Sequence, residues 1–141
     1  MSNYKLGVIG HGYVGESQSF AFSPSFDVKV YDKDPLRSTH SFEDTLNSDF
    51  IFVCLPTPMK KDGSQDSLFI ENFFNKAISG PIYIIKSTIV PGTTNKLINK
   101  YKNLSIVFSP EFLTEKRAKL DVITQTRIIL GGEKKVTSRV R

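Results

Sequence analysis

Three glycines and one aspartate stand where they can do chemistry together. Gly10, Gly12 and Gly15 lie in Lys5-Leu-Gly-Val-Ile-Gly-His-Gly-Tyr-Val-Gly15, and Asp32 closes the run Val28-Lys-Val-Tyr-Asp32. Leu6, Val8 and Ile9 read as a buried strand. Gly10 then permits a tight turn, Gly12 lets a pyrophosphate approach the backbone, and Gly15 lets the following helix pack close to the sheet. The anion would sit at the helix N-terminus, beside Tyr13 and Val14, where N–H groups and the helix dipole favour negative charge. A second strand, Asp27 to Tyr31, delivers Asp32 to the hydroxyls of an adenosine ribose. A 2′-phosphate would meet a negative charge there, so the expected cofactor is NAD rather than NADP.

A second set of residues follows later apolar runs. Leu55 leads into Pro56-Thr57-Pro58, Lys86 into Ser87-Thr88, and Phe108 into Ser109-Pro110-Glu111. Ligands of open α/β sheets bind beyond the carboxyl ends of the strands, and these hydroxyls and carboxylates share that rim with the glycine turn. Oxidising an alcohol needs a proton acceptor, and hydrolysis needs a water held by a carboxylate or hydroxyl; residues of these types can supply both.

The elements that must position them are short β-branched runs at Leu6–Ile9, Val28–Tyr31, Phe50–Leu55, Ile82–Ile85, Ser105–Phe108 and Arg127–Leu130. Between them lie helical patterns at Val14–Phe22, Phe42–Leu46, Leu68–Ile78 and Thr93–Tyr101, with a further helix beginning at Glu133. Strands alternating with helices predict an α/β fold, a Rossmann-type doubly wound parallel sheet covered on both faces, in a single domain.

Composition narrows the function classes. The net charge of +5 could suggest nucleic acid, but the nineteen Lys and Arg are scattered, with no run longer than Lys60-Lys61 or Lys134-Lys135, so a solvated surface is expected and no nucleic-acid partner. No apolar stretch approaches membrane-spanning length and no signal segment opens the chain, which predicts a cytoplasmic protein with no membrane partner. No His/Cys cluster has metal-ligand spacing, so no metal is expected. The lone Cys54 lies inside the apolar run Phe50–Leu55, which predicts core packing and a raised thiol pKa. His11 falls in the phosphate turn and His40 in a short loop, neither a good place for a catalyst.

With these segments in this order, the chain resembles the UDP-glucose/GDP-mannose dehydrogenase family, specifically its N-terminal NAD-binding domain. The resemblance runs through nearly the whole chain. It is carried by Gly7 to Gly15, by Phe52-Val-Cys-Leu-Pro-Thr-Pro58, by Lys86-Ser-Thr-Ile-Val-Pro-Gly92, and by Ser109-Pro-Glu-Phe-Leu-Thr-Glu-Lys-Arg-Ala118 with Asp121. The glycine motif is shared by many dehydrogenases; the last two segments are more selective. The resemblance implies a four-electron oxidation of a sugar nucleotide such as UDP-glucose, from primary alcohol through aldehyde to carboxylate, with two NAD consumed. In the second step a cysteine captures the aldehyde as a thiohemiacetal, hydride leaves to give a thioester, and water hydrolyses it. By similarity, Thr88 positions the water and the reacting carbon, Glu111 assists proton transfer in hydrolysis, and Glu115 lies nearer the nicotinamide. Glu111, Phe112, Leu113 and Thr114 would contact the sugar nucleotide, while Thr57, Pro58, Ser87 and Thr88 would line the cofactor groove.

The chain also departs from the family. Between Asp34 and Ser41 it passes almost directly to Phe42, where relatives carry a further helix and long loop, so Lys33 or Arg37 would take over contacts to the cofactor. Lys116 replaces a common Gly in the substrate loop. The family's central helix, with a substrate-binding Lys and Asn, and its C-terminal domain with the nucleophilic Cys come after the region matched here. Residues 1–141 are therefore expected to be the NAD-binding domain alone, partnered by a second copy or by a chain carrying the cysteine domain. Two other readings stay open: a non-catalytic module that binds NAD or a nucleotide sugar, and a hydroxyacid- or 6-phosphogluconate-type dehydrogenase sharing the glycine turn. The Pro-Glu-Phe-Leu-x-Glu segment speaks against the last.

Overall fold

The structure, a computed structural model, describes residues 3–141. Among these residues six strands form one sheet: β1 (Lys5–Ile9), β2 (Asp27–Tyr31), β3 (Phe50–Val53), β4 (Ile82–Ile85), β5 (Ser105–Phe108) and β6 (Gly131–Gly132), in the order β2-β1-β3-β4-β5-β6. The first five are parallel, with Val8 opposite both Val30 and Phe52. The helices are α1 (Tyr13–Phe22), α2 (Phe42–Leu46), α3 (Leu68–Lys76), α4 (Thr93–Lys100), α5 (Ala118–Thr124) and α6 (Lys134–Thr137). Among the described residues no helix is long and apolar enough to cross a membrane.

Because side chains alternate along a strand, each central strand feeds two cores. Ile51, Val53, Tyr83, Ile85 and Ile106 face Leu46, Ile70, Phe73, Phe74 and Leu97 from α2, α3 and α4. Val8, Phe52, Ile82, Ile84 and Val107 face the other way, against Phe22 of α1 and Val136 of α6. Several of the phenylalanines pack edge to face: Phe73 meets Phe42, Phe74 and Tyr83 at ring separations of 5.2 to 6.1 Å. Each such pair contributes about 0.5–1.5 kcal/mol beyond its buried area.

The structure corrects several element boundaries. The expected strand at Arg127–Leu130 does not form; Ile128 is 68% exposed, and pairing begins at Gly131, antiparallel to β5. A side chain could not take that place easily: Gly132 has φ 148, and a Cβ on it would stand 3.2 Å from the Ile106 carbonyl oxygen. The third strand stops at Val53 rather than Leu55, and Cys54 and Leu55 lead into Pro56, which has no N–H to donate. Helix α3 ends at Lys76 rather than Ile78. There the buried Tyr83 hydroxyl accepts from the Ile78 N–H and donates to the Ile78 carbonyl, taking both backbone groups away from the helix. The short link after β2 makes a 3-10 turn at Pro35–Arg37 and then lays Thr39 along the outer edge of β2, where its hydroxyl accepts from the Val30 N–H at 3.0 Å. That contact covers part of an edge that would otherwise be open to pairing.

Candidate active site

The chain leaves β1 to one side for β2 and to the other for β3, and a cleft of about 520 Å³ opens at the carboxyl ends of the strands around that switch. At one end the glycines divide the work. Gly10 has φ 88, and a Cβ there would lie 2.6 Å from the Cys54 carbonyl oxygen. Gly15 presses α1 onto the turn: its Cβ would lie 1.9 Å from the Gly10 oxygen. Of these three, only Gly12 has open space where a Cβ would be, and it faces the cleft with Tyr13 and Val14. No side chain caps α1, so its first-turn N–H groups are presented to whatever anion occupies this space.

Asp32 follows β2 and lines the same end. Its Oδ2 accepts from the His11 N–H at 2.7 Å and its Oδ1 from the Asp34 N–H at 2.8 Å. Partial burial works against ionisation, but these two N–H groups outweigh it and hold the carboxyl below its ordinary range. Each oxygen keeps a lone pair for a further donor. Lys33 and Arg37 also line this end, and the Lys33 ammonium lies 5.9 Å from the centre of the Phe69 ring. The open Gly12 face, the uncapped helix and the ordered carboxylate together fit a dinucleotide.

At the other end a buried polar cluster replaces the usual apolar floor. Lys86, just past β4, forms an ion pair with Glu111, and both side chains are only 7% exposed. The Lys86 Nζ also donates to the Ser109 Oγ at 3.1 Å, and the Gln18 Nε2 donates to the Glu111 Oε1 at 3.1 Å. The Glu111 Oε2 is buried with no partner among the described residues. Burial pulls the Lys86 ammonium down, to about 8, and the nearby Cys54 opposes that pull. Cys54 packs against the core of Val8 and Phe52, as expected, but it is half-buried and also lines the cleft. Its surroundings still push the thiol up to about 12, with Lys86 pulling weakly the other way.

The cleft gathers Gly10, Gly12, Tyr13, Val14, Asp32, Lys33, Thr57, Ser87, Thr88, Glu111 and Leu113 from the residues singled out in the sequence. The Thr88 carbonyl accepts from the Thr57 hydroxyl at 2.6 Å and from the Gln65 amide at 2.8 Å, joining two rim loops, while the Ser87 hydroxyl donates to the Leu55 carbonyl at 2.7 Å. Others lie outside the lining. Gly15 packs beneath it, and the Pro58 carbonyl accepts from the Asp66 N–H. Phe112 is exposed below the Arg127 guanidinium, Thr114 donates twice to Asp121, and Glu115 begins an exposed 3-10 turn.

The family profile described as UDP-glucose/GDP-mannose dehydrogenase family, NAD binding domain, matches residues 25–141. The chain belongs to the UDP-glucose/GDP-mannose dehydrogenase family. A UDP-glucose 6-dehydrogenase of Campylobacter jejuni is 28% identical over 92% of this chain and 42% of its own length. A second, from Haloferax volcanii, is 30% identical over 75% of this chain and 29% of its own. The solved UDP-glucose dehydrogenase of Pyrobaculum islandicum superposes with a TM-score of 0.86 at 25% identity, covering 97% of this chain and 43% of that one. The chain thus spans less than half the length of these relatives, and the part it spans is the family's NAD-binding domain.

Within this family domain, sequence reasoning gave no role to two members of the buried cluster, Lys86 and Gln18, whereas Ser109 stood among the hydroxyls expected at the strand ends. One signal was available for Lys86, a charged residue directly after four apolar strand residues. Gln18 carries none, because a glutamine in an amphipathic helix reads as solvent-facing until its partner is known.

Proposed function

We propose that residues 1–141 form the NAD-binding half of a nucleotide-sugar 6-dehydrogenase that oxidises UDP-glucose, or a close relative, to the uronate. One observation carries the reading: a single cleft has the open Gly12 face and Asp32 at one end and the buried, unpartnered oxygen of Glu111 at the other. The bound NAD supplies the hydride acceptor. The α1 N-terminus binds its pyrophosphate, Asp32 accepts from the ribose hydroxyls, and the rim loops joined through Thr57 and Thr88 line the groove. Glu111 receives a proton at the sugar end and Thr88 orients the water and the reacting carbon. The loop from Phe112 to Glu115 contacts the sugar nucleotide at the cleft's edge.

Cys54 is the sole cysteine in this span, and its raised pKa keeps it protonated, so the thioester step falls to a cysteine supplied from outside residues 1–141. The test follows NADH absorbance with UDP-glucose. The 141-residue polypeptide should give no steady-state turnover alone and should gain it when a cysteine-bearing C-terminal domain of a relative is added. Glu111→Gln and Thr88→Ala should each depress the restored rate. Conversion to UDP-glucuronate by the 141 residues alone, abolished by Cys54→Ser, would overturn this assignment.

A further inference from the structure

The two oxygens of Glu111 meet different surroundings. On Oε1 converge the Lys86 ammonium and the Gln18 amide, and Lys86 is itself steadied by Ser109. Among the described residues no donor reaches Oε2, although the atom is buried and its residue lines the cleft. A buried carboxylate oxygen without a donor is unfavourable, and a carboxylate can only accept. Because Glu111 lines the cleft, a ligand bound there can bring the donor that Oε2 lacks.

We infer that Lys86 and Gln18 are positioning residues: by holding Oε1 from two directions they fix the rotation of the carboxylate and leave Oε2 turned to the cleft as acceptor for one sugar hydroxyl. The two donors come from different elements, Lys86 from the end of β4 and Gln18 from the helix whose N-terminus faces the phosphate site. Neither needs to touch the ligand. Rotation of the carboxylate away from the cleft would break both contacts at once. This inference rests on the reading that the sugar of a nucleotide sugar lies against Glu111.

Calorimetry of the full chain with UDP-glucose and with UDP isolates the hydroxyl contact as the ratio of the two affinities. The wild-type chain should prefer UDP-glucose. Glu111→Gln, Lys86→Met and Gln18→Leu should each lower that preference by about tenfold or more, the strength of a hydrogen bond to a charged acceptor, with UDP affinity unchanged. Lys86→Arg should restore most of it, whereas general damage to the cleft would weaken both ligands together. If Glu111→Gln lowers the preference and neither Lys86→Met nor Gln18→Leu does, positioning is overturned and the functional reading stands. If Glu111→Gln has no effect, or the wild-type chain binds neither ligand or both alike, the functional reading falls and this inference with it. Lys86→Met strips one partner from a buried pair and is the variant most at risk of not folding. Gln18→Leu keeps the pair, so its ratio then decides alone.

Discussion

Cys54 and Asp32 face one cleft and carry opposite electrostatic assignments. With its thiol pushed up to about 12, Cys54 should resist iodoacetamide at pH 8, reacting about a thousandfold more slowly than an exposed cysteine with its pKa near 8.5. Mass spectrometry of the native and urea-unfolded chain checks this, and rapid native labelling would place a thiolate in the cleft. Asp32 is held below the ordinary carboxylate range in spite of its partial burial. The stability it contributes is therefore fully present above the unfolded pKa and is lost as the pH falls through the lower folded one. NAD affinity, as far as Asp32 sets it, should stay level from pH 8 down to the ordinary Asp range and fall below it. Asp32→Ala should weaken NAD by about 1–3 kcal/mol and narrow its advantage over NADP. Calorimetry with both dinucleotides reads each outcome; equal affinities in the wild-type chain would remove the ribose role. The carboxylate's place at the end of β2 was legible in Val28-Lys-Val-Tyr-Asp32, but its two N–H partners were not, because they depend on how the turn after Gly10 folds back.

At the scale of elements, the β1-turn-α1 unit separates ligand approach from packing. A side chain at Gly12 enters open space, so Gly12→Val should leave the circular dichroism spectrum intact and abolish dinucleotide binding. A side chain at Gly15 meets the Gly10 carbonyl, so Gly15→Ala should cost about 1–3 kcal/mol in urea unfolding. The reverse pattern, a destabilised Gly12 variant and a neutral Gly15 variant, would show that the turn is built differently. Helices and parallel strands were legible because their apolar periodicity is local; α2 matches the expected Phe42–Leu46 at both ends. The misplaced ends share a cause. Ile78 leaves its helix for the hydroxyl of Tyr83, and Arg127–Leu130 reads as a strand by composition while the edge of β5 takes glycines instead.

For the molecule as a whole, binding to the folded state alone must stabilise it. NAD at a hundred times its Kd should add about 2.7 kcal/mol and raise the melting temperature by several degrees, and Gly12→Val should lose that rise. An equal rise in the variant would put the nucleotide elsewhere. The sequence by itself determined the α/β order, the glycine turn, Asp32 and the loaded strand ends, since each is written in residues near one another along the chain. Tertiary structure alone decided that Gln18 and Glu111, 93 positions apart, share one oxygen with Lys86, and that Cys54 turns half toward the cleft. The physical reason is that a polar side chain can be buried only where partners meet it. Those partners come together only when α1, β4 and the loop after β5 are packed, which no local pattern of residues records.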